Sequence, residues 1–249
     1  MTIEELKIEH DLLNEGVAPG FIRLPGGVEI PTVEESRFGF EFFCWRSPEM
    51  VAEMKAFLQV ARGKRRFFDI GALHGVFSLA FKSLNPKGFV YAFEPHPGSY
   101  RVLCSNSELA HDMHCIDQAV SDHYGMIEMG QEWDCHYSTA NKEGEIYKIP
   151  CVTGDSYVRM LGADLIKIDV EGHEAHVLRG LSETIANFRP AILLEIHPLR
   201  LASCEEHVGI MLEQLYEEGY TPTDTATGQE LDWDTQVWNK QDCRILFTP

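Results

Sequence analysis

RFFDIGALHG, residues 66–75, decides how this chain folds. A short apolar run ending in Asp69 enters a turn bracketed by Gly71 and Gly75, and VFSLAFKSL (76–84) follows at once with helical spacing. Downstream, GFVYAFE (88–94), GSYRVLCSNSELA (98–110) and HCIDQAV (114–120) continue as strand, helix and strand. Strands separated by helices pair in parallel, with helices on both faces. Residues 121–152 read as an insertion of short strands and turns. The alternation resumes with DLIKIDV (164–170), a helix from about His173 to Asn187, AILLEIH (191–197), a helix from about Glu205 to Glu218, and a last strand near CRILF (243–247). Six or seven strands with interleaved helices predict an α/β fold, a doubly wound, mostly parallel sheet.

Upstream, residues 1–64 read as an N-terminal cap and 65–249 as the α/β domain. FIRLPGGVEIPT (21–32) and SRFGFEFFCW (36–45) resemble the two strands of a hairpin, and Phe38, Phe40, Phe42, Phe43 and Trp45 alternate as core residues of a strand would. Ser47 as N-cap and Pro48 at the first helical position predict a helix ending near Gly63.

Composition narrows the function. With 44% hydrophobic residues, 249 residues suffice for an ordinary buried core. The net charge of −18 repels phosphate backbones and anionic lipid surfaces, so neither nucleic acid nor membrane is an expected partner. Cys44, Cys104, Cys115, Cys135, Cys151, Cys204 and Cys243 are scattered without a C-x-x-C pair, which argues against a disulfide framework or a zinc knuckle and fits a reducing compartment. No apolar run approaches the ~20 residues that span a bilayer, and MTIEELKIEHDLL lacks the features of a signal peptide. A cytoplasmic location is the expectation.

In doubly wound sheets, ligands bind beyond the carboxyl ends of the strands. Four such ends carry acids: Asp69, Glu94, Asp169 and Glu195. Any one of them could merely cap a helix; four converging ends suggest a site. Gly71, Ala72 and Gly75 lie in a turn that lets backbone approach a ligand. The turn lacks the G-x-G-x-x-G of dinucleotide sites, and the preceding aspartate suits a cationic ligand, with an amino group or sulfonium centre, better than a pyrophosphate. Glu94 can accept hydrogen bonds from the vicinal hydroxyls of a ribose. Asp117, Gln118 and Ala119 stand where an adenine edge would be met, although such residues also form turns.

FFDIGALHG, VYAFEPHPGSYRVL, AVSD, LIKIDVEGHEAHVLRGL and ILLEIHP together resemble the FkbM-type methyltransferases, a branch of the class I S-adenosylmethionine-dependent enzymes. The resemblance covers roughly Phe67 to Pro198. It implies a Rossmann-like seven-stranded sheet, with Asp69, Gly71, Gly75 and Glu94 lining the methyl-donor site and Glu94 on the ribose. Where this chain has Leu73, the family pattern usually has Asn. Transfer to oxygen, on a small molecule or sugar, is also an implication of the family; the residues themselves do not exclude nitrogen.

Methyl transfer needs an acceptor lone pair held in line with the sulfonium carbon, and a hydroxyl acceptor must also lose its proton. In D-V-E-G-H-E, His173 is the preferred base, with Asp169 or Glu171 as the alternative; the competing reading is a helix N-terminus with a solvated histidine. Asp169 also belongs to the donor site as a strand-end acid. By the strand period of two, Glu195 and His197 share a side, and with Asp169 they could hold a divalent ion. A hydrogen-bonded lining without metal is favoured over it. Two readings from other classes compete: a metal-dependent hydrolase built on Asp169, Glu195 and His197, and a non-catalytic module binding an adenosine ligand. The acceptor and the oligomeric state are not written in these residues.

Overall fold

The computed structural model describes residues 2–133, 136–138, 146–204, 206–233 and 242–249. A capping box between Thr2 and Glu5 starts α1 (Ile3–Asn14), and a short antiparallel hairpin, β1 (Phe21–Arg23) with β2 (Glu29–Pro31), follows. The aromatic run at 36–45, expected as a strand, is instead part of helix α2 (Glu34–Trp45). Phenylalanine at alternate positions imitates a strand, but the residues buried are Ser36, Phe40 and Cys44, a spacing of four that a helix delivers, joined by Trp45. Phe38 and Phe42 face outward. Ser47 then caps α3 (Pro48–Ala61) by accepting from the Met50 amide.

The expected alternation follows as β3 (Arg66–Ile70), α4 (Val76–Leu84), β4 (Phe89–Phe93), α5 (Pro97–Ser107) and β5 (Met113–Ile116). The run at 114–120, read as one strand, divides: β5 stays in the main sheet, while β6 (Ala119–Ser121) joins a second one. That second sheet holds β7 (Gly125–Trp133), β8 (His136–Ser138) and β9 (Ile146–Thr153) in the order β6-β9-β7-β8. The chain continues through α6 (Gly154–Leu161), β10 (Leu165–Ile168), α7 (Glu174–Arg179), α8 (Ser182–Phe188), β11 (Ala191–Ile196), α9 (Pro198–Ser203), α10 (Val208–Glu217), β12 (Thr221–Asp224) and β13 (Cys243–Thr248). Glu205, the expected start of the helix now seen as α10, lies outside the described residues, as does Cys135. The other six cysteines are free thiols. No helix among the described residues is long and apolar enough to cross a membrane.

The main sheet runs β12-β13-β11-β10-β3-β4-β5. Its strands from β11 to β5 are parallel, and β13 is antiparallel to both neighbours. β12, with Pro222, is an edge strand, where a missing amide donor is tolerated. The strand order reverses between β3 and β10, which places the ligand crevice there.

Alternation divides the strands between two cores. Phe68, Ile166, Ile192 and Leu194 face α6, α7, α8 and α10, whereas Phe67, Leu165 and Leu193 join one cluster with Leu6, Ile22, Phe40, Met54 and Phe57 of the N-terminal segment. The same parity carries Asp69, Lys167, Asp169 and Glu195 to the N-terminal segment's side of the sheet. Register completes the row, because Asp69 stands beside Lys167, and Glu195 opposite Arg244 of β13.

The helix expected from His173 to Asn187 is broken into α7 and α8. At Gly180 a β-carbon would lie 1.9 Å from the Ser121 carbonyl oxygen, so β6 approaches too closely for a side chain. Gly180→Ala is expected to destabilise the protein by about 3 kcal/mol or more in urea unfolding. Gly209→Ala, in the open first turn of α10 with nothing within 4 Å of the added carbon, is expected to stabilise it by about 0.5 kcal/mol.

Candidate active site

The turn after β3 owes its glycines to the chain's own packing. Gly71 has φ 82°, and a β-carbon there would sit 1.8 Å from the Asp169 carbonyl oxygen. Gly75, at φ 87°, has Leu103 at 2.6 Å and Met113 at 3.0 Å in the place of a side chain. Leu73 adopts φ 50°, a left-handed conformation that costs a leucine roughly 1–2 kcal/mol and an asparagine less. The Gly71 and Ala72 amides donate to the Phe93 carbonyl, which joins the turn to β4.

Glu94 follows β4 directly. Its two carboxylate oxygens accept from the amides of Leu73 (2.8 Å) and His96 (2.9 Å). Burial raises its pKa to about 7 against the pull of those bonds. Asp69 lies behind the turn, 1% exposed, and accepts from the Ser78 hydroxyl at 2.6 Å. Burial raises its pKa too, opposed by the charge of Lys167.

A cavity with about 1240 Å³ of empty space, its open mouth included, extends from this turn. Ala72, Glu94, Gln118 and Ala119 line one end, and Asp169, Glu171, His173 and Glu195 the other. Phe40, Phe43, Met50 and Met54 from α2 and α3 cover it. Gly71 is also a lining residue, whereas Asp69, Gly75 and Asp117 are not. Asp117 is exposed, and Gln118 beside it accepts from the Tyr157 hydroxyl at 2.9 Å.

The floor at the second end is the row of charges set by strand parity. Lys167 Nζ lies 2.9 Å from Asp169 Oδ2 and 4.7 Å above the centre of the Phe77 ring. Arg244 bonds Glu53 of α3 at 3.0 Å and also Glu195. Burial alone would raise the Asp169 pKa, but Lys167 and His197 hold it well below the carboxylate range. Burial, together with Asp169 and Glu53, drives Glu195 well above that range. Lys167, Arg244 and Glu53 carried no signal in the motifs. Lys167 could have been found as a lysine inside an otherwise apolar strand, since a fully buried lysine needs an acid partner; Glu53 and Arg244 become legible only once β13 is known to pair with β11.

Asp169, Glu195 and His197 each offer a ligand atom within 4.8 Å of the others. The set does not suit a cation. His197 Nδ1 lies 2.6 Å from Glu174, and Nε2 lies 3.3 Å from Glu171. Against the opposing effect of burial, Glu174 and Glu171 raise its pKa to about 10, so it is an imidazolium. Lys167 already stands against Asp169, and Arg244 against Glu195.

His173 is buried in the cavity wall, with Nε2 3.0 Å from the Ser121 hydroxyl and its ring stacked on His176. Burial, and then the charge of His176, pull its pKa down to about 3, so it is neutral and holds a proton poorly. Glu171, in a left-handed conformation at φ 56°, is turned to Arg200 at 2.7 Å as well as to His197.

His197 ties stability to pH. Its folded pKa of about 10 exceeds the ordinary value of 6.5, so its contribution is complete below pH 6.5 and lost as pH rises through 10. Urea unfolding at intervals from pH 6.5 to 10 should show a decline of up to about 1.4 kcal/mol per pH unit from this group. His197→Gln should flatten it.

A sequence model of the methyltransferase FkbM domain matches residues 69–222. The chain is 27% identical over 143 residues to 2-O-methyltransferase NoeI of Sinorhizobium fredii, covering 49% of this chain and 59% of that protein. It is 27% identical over 169 residues to hexuronic acid methyltransferase AglP of Haloferax volcanii, covering 61% of this chain and 66% of that protein. The chain thus spans just under two thirds, or less, of the length of these relatives. Among solved structures, Aeropyrum pernix fibrillarin in complex with natively bound S-adenosyl-L-methionine matches the fold with a TM-score of 0.50 at 15% identity, over 95% of this chain and 86% of that chain. The sheet is that of a class I methyltransferase, and the chain belongs to the FkbM methyltransferase family.

Proposed function

We propose that this protein transfers a methyl group from S-adenosylmethionine to a hydroxyl of a small molecule or sugar. Glu94 carries the reading: a buried carboxylate at the end of β4, its oxygens already oriented by two backbone amides, opens into a cavity at the point where strand order reverses. Its remaining lone pairs suit two ribose hydroxyls. Gln118 and Ala119 lie on the adenine side, and Gly71, Ala72 and Leu73 form the backbone cradle. The fit is to the whole donor, because the cavity continues from this cradle to Asp169. The names of the two relatives support a sugar-type hydroxyl as acceptor, and fibrillarin's bound donor supports the cosubstrate.

When bound, the donor supplies an electrophilic methyl on a sulfonium. The work of this chain is placement and charge. Asp169, kept ionised by Lys167, sets a fixed negative charge beside the cationic centre, which favours binding of the donor over its neutral product. It also faces the cavity, 27% exposed, where it can accept a hydrogen bond from the acceptor hydroxyl and orient it, while His173 is buried against Ser121. Phe40, Phe43, Met50 and Met54 exclude water from the transfer. The hydrolase reading would need an ion among Asp169, Glu195 and His197, where cations of the protein already stand. A cytoplasmic location accords with the free thiols.

Calorimetric titration with S-adenosylmethionine and S-adenosylhomocysteine, followed by a methyl-release assay on sugar acceptors, tests the proposal. Micromolar binding is expected, with turnover unchanged by EDTA. Glu94→Gln should weaken binding tenfold to a hundredfold, about 1.5–3 kcal/mol for a charge-assisted contact. Because the carboxylate is the acceptor, binding should be about tenfold weaker at pH 6 than at pH 8 for a pKa near 7, and Glu94→Gln should abolish this difference. Absence of donor binding sinks the reading; binding without turnover on any acceptor favours the non-catalytic module.

A further inference from the structure

Glu53 of α3 stands at the edge of the charged row with one oxygen committed and one not. Oε2 accepts from the Arg244 guanidinium at 3.0 Å, while Oε1 is buried and has no hydrogen-bond partner among the described residues. The residue is 5% exposed and lines the cavity. Its neighbours in the wall formed by α2 and α3, Phe40, Phe43, Met50 and Met54, carry no hydrogen-bond donor on their side chains. One turn further along α3, Phe57 meets Phe77 of α4 edge to face at 4.9 Å, and Lys167 stands over the face of the Phe77 ring. These contacts set α3 against the start of α4, where the glycine turn ends. The cavity continues into an outer chamber that shares Phe43, Met50, Asp169, Glu195 and Arg244 with it, whereas Glu53 lines the inner cavity alone.

We propose that Glu53 binds the α-ammonium group of the donor's amino-acid tail through Oε1. The inference rests on the methyl-transfer reading above and adds to it a residue from outside the span matched by the family. Charge selects the occupant first. Glu53, Asp169 and Glu195 are three acids facing two bases, Lys167 and Arg244, so a cation offsets the row and a neutral hydroxyl does not. His197, the next cation along, is engaged by Glu171 and Glu174. Position selects it again, because Glu53 borders the inner cavity with Gly71, Leu73 and Val76 and takes no part in the outer chamber. Its occupant is therefore the molecule that lies along the glycine turn. With the ribose at Glu94 and the sulfonium beside Asp169, the tail is the part of the donor left to pass under α3. Burial raises the Glu53 pKa against the charges of Lys167 and Arg244; an ammonium at Oε1 acts in the same sense as those charges and favours the carboxylate.

Calorimetry on the full chain tests this with S-adenosylhomocysteine and two probes that share its adenosine: the analogue with hydrogen in place of the α-amino group, and 5′-methylthioadenosine, which lacks the whole tail. The unaltered chain should bind the deaminated analogue about tenfold to a hundredfold more weakly than S-adenosylhomocysteine, the range of a charge-assisted contact. In Glu53→Gln, Arg244 keeps the amide oxygen and the amide nitrogen, a donor, turns to the ligand. S-adenosylhomocysteine should then lose about the same factor, while the two probes without the amino group stay within about twofold. A purely structural role for Glu53, exerted through Arg244, would weaken all three compounds alike and overturn the assignment. Equal affinity of the unaltered chain for S-adenosylhomocysteine and its deaminated analogue would overturn it as well, and that measurement needs no variant. Should Glu53→Gln fail to fold, a crystal of the unaltered chain with S-adenosylhomocysteine decides: an α-nitrogen bonded to Glu53 supports the assignment, and one bonded elsewhere removes it. If none of the three compounds binds the unaltered chain, the methyl-transfer reading falls and this inference with it; if all bind without discrimination, Glu53 alone is ruled out.

Discussion

The arrangement depends on one buried electrostatic constraint: the ammonium of Lys167 in the middle of the sheet must be paired. It lies on β10, flanked by strands buried on both faces, where an unpaired charge would shed its proton or break the packing. Asp169, two residues on and therefore on the same side, supplies the contact, and Asp69 stands beside Lys167 in register on β3. The carboxylates raise the lysine pKa above its ordinary value despite burial. Breaking such a pair costs about 3–5 kcal/mol, so the charge on Asp169 is fixed by the fold and available to the cavity without further organisation.

The same row ties the ends of the chain together. Arg244, on the last strand, reaches Glu195 on β11 and Glu53 on α3. Residues near both termini thereby close over the carboxyl ends of the central strands. The N-terminal segment is packed as part of the core, since Met54 and Phe57 share a hydrophobic cluster with Phe67, Phe81 and Val90. The strand-end acid Glu195 is consequently held by Arg244 of β13, which Glu53 of α3 holds in turn.

How far the sequence could be read follows from the range of the interactions involved. Apolar runs ending in acids gave β3, β4, β10 and β11, because in buried parallel strands the pattern is local and nearly continuous. Glu94 was legible for the same reason. Helix α2 was not: Phe38, Phe40 and Phe42 alternate, and only the tertiary fact that Phe40 and Cys44 are buried while Phe38 is bare reveals the helical period. The break at Gly180 depends on a strand about sixty residues earlier in the chain, and the charge state of His197 on acids from α7 and its preceding loop. Such contacts are set by the packed fold, which no local pattern encodes.

The two ends of the cavity have different origins in the chain, and this bears on how the family could vary its acceptors. Ala72, Glu94, Gln118 and Ala119 fall within residues 69–222, the span matched by the family. Phe43, Arg46, Ser47 and Met50 precede that span, and Asp242 and Arg244 follow it, yet together they wall the outer chamber. Among the described residues of the matched span, Asp169, Glu171, Glu195, His197 and Arg200 enter the outer chamber. The turn after β3 is constrained by backbone geometry, as the 1.8 Å approach at Gly71 makes plain. Side chains on α2, by contrast, project from a helix whose buried stripe is separate from its outer one, so they can change without disturbing the cradle. On the reading proposed above, separating a rigid donor end from a replaceable acceptor wall would let one sheet serve different acceptors while the charge on Asp169 stays fixed at their junction.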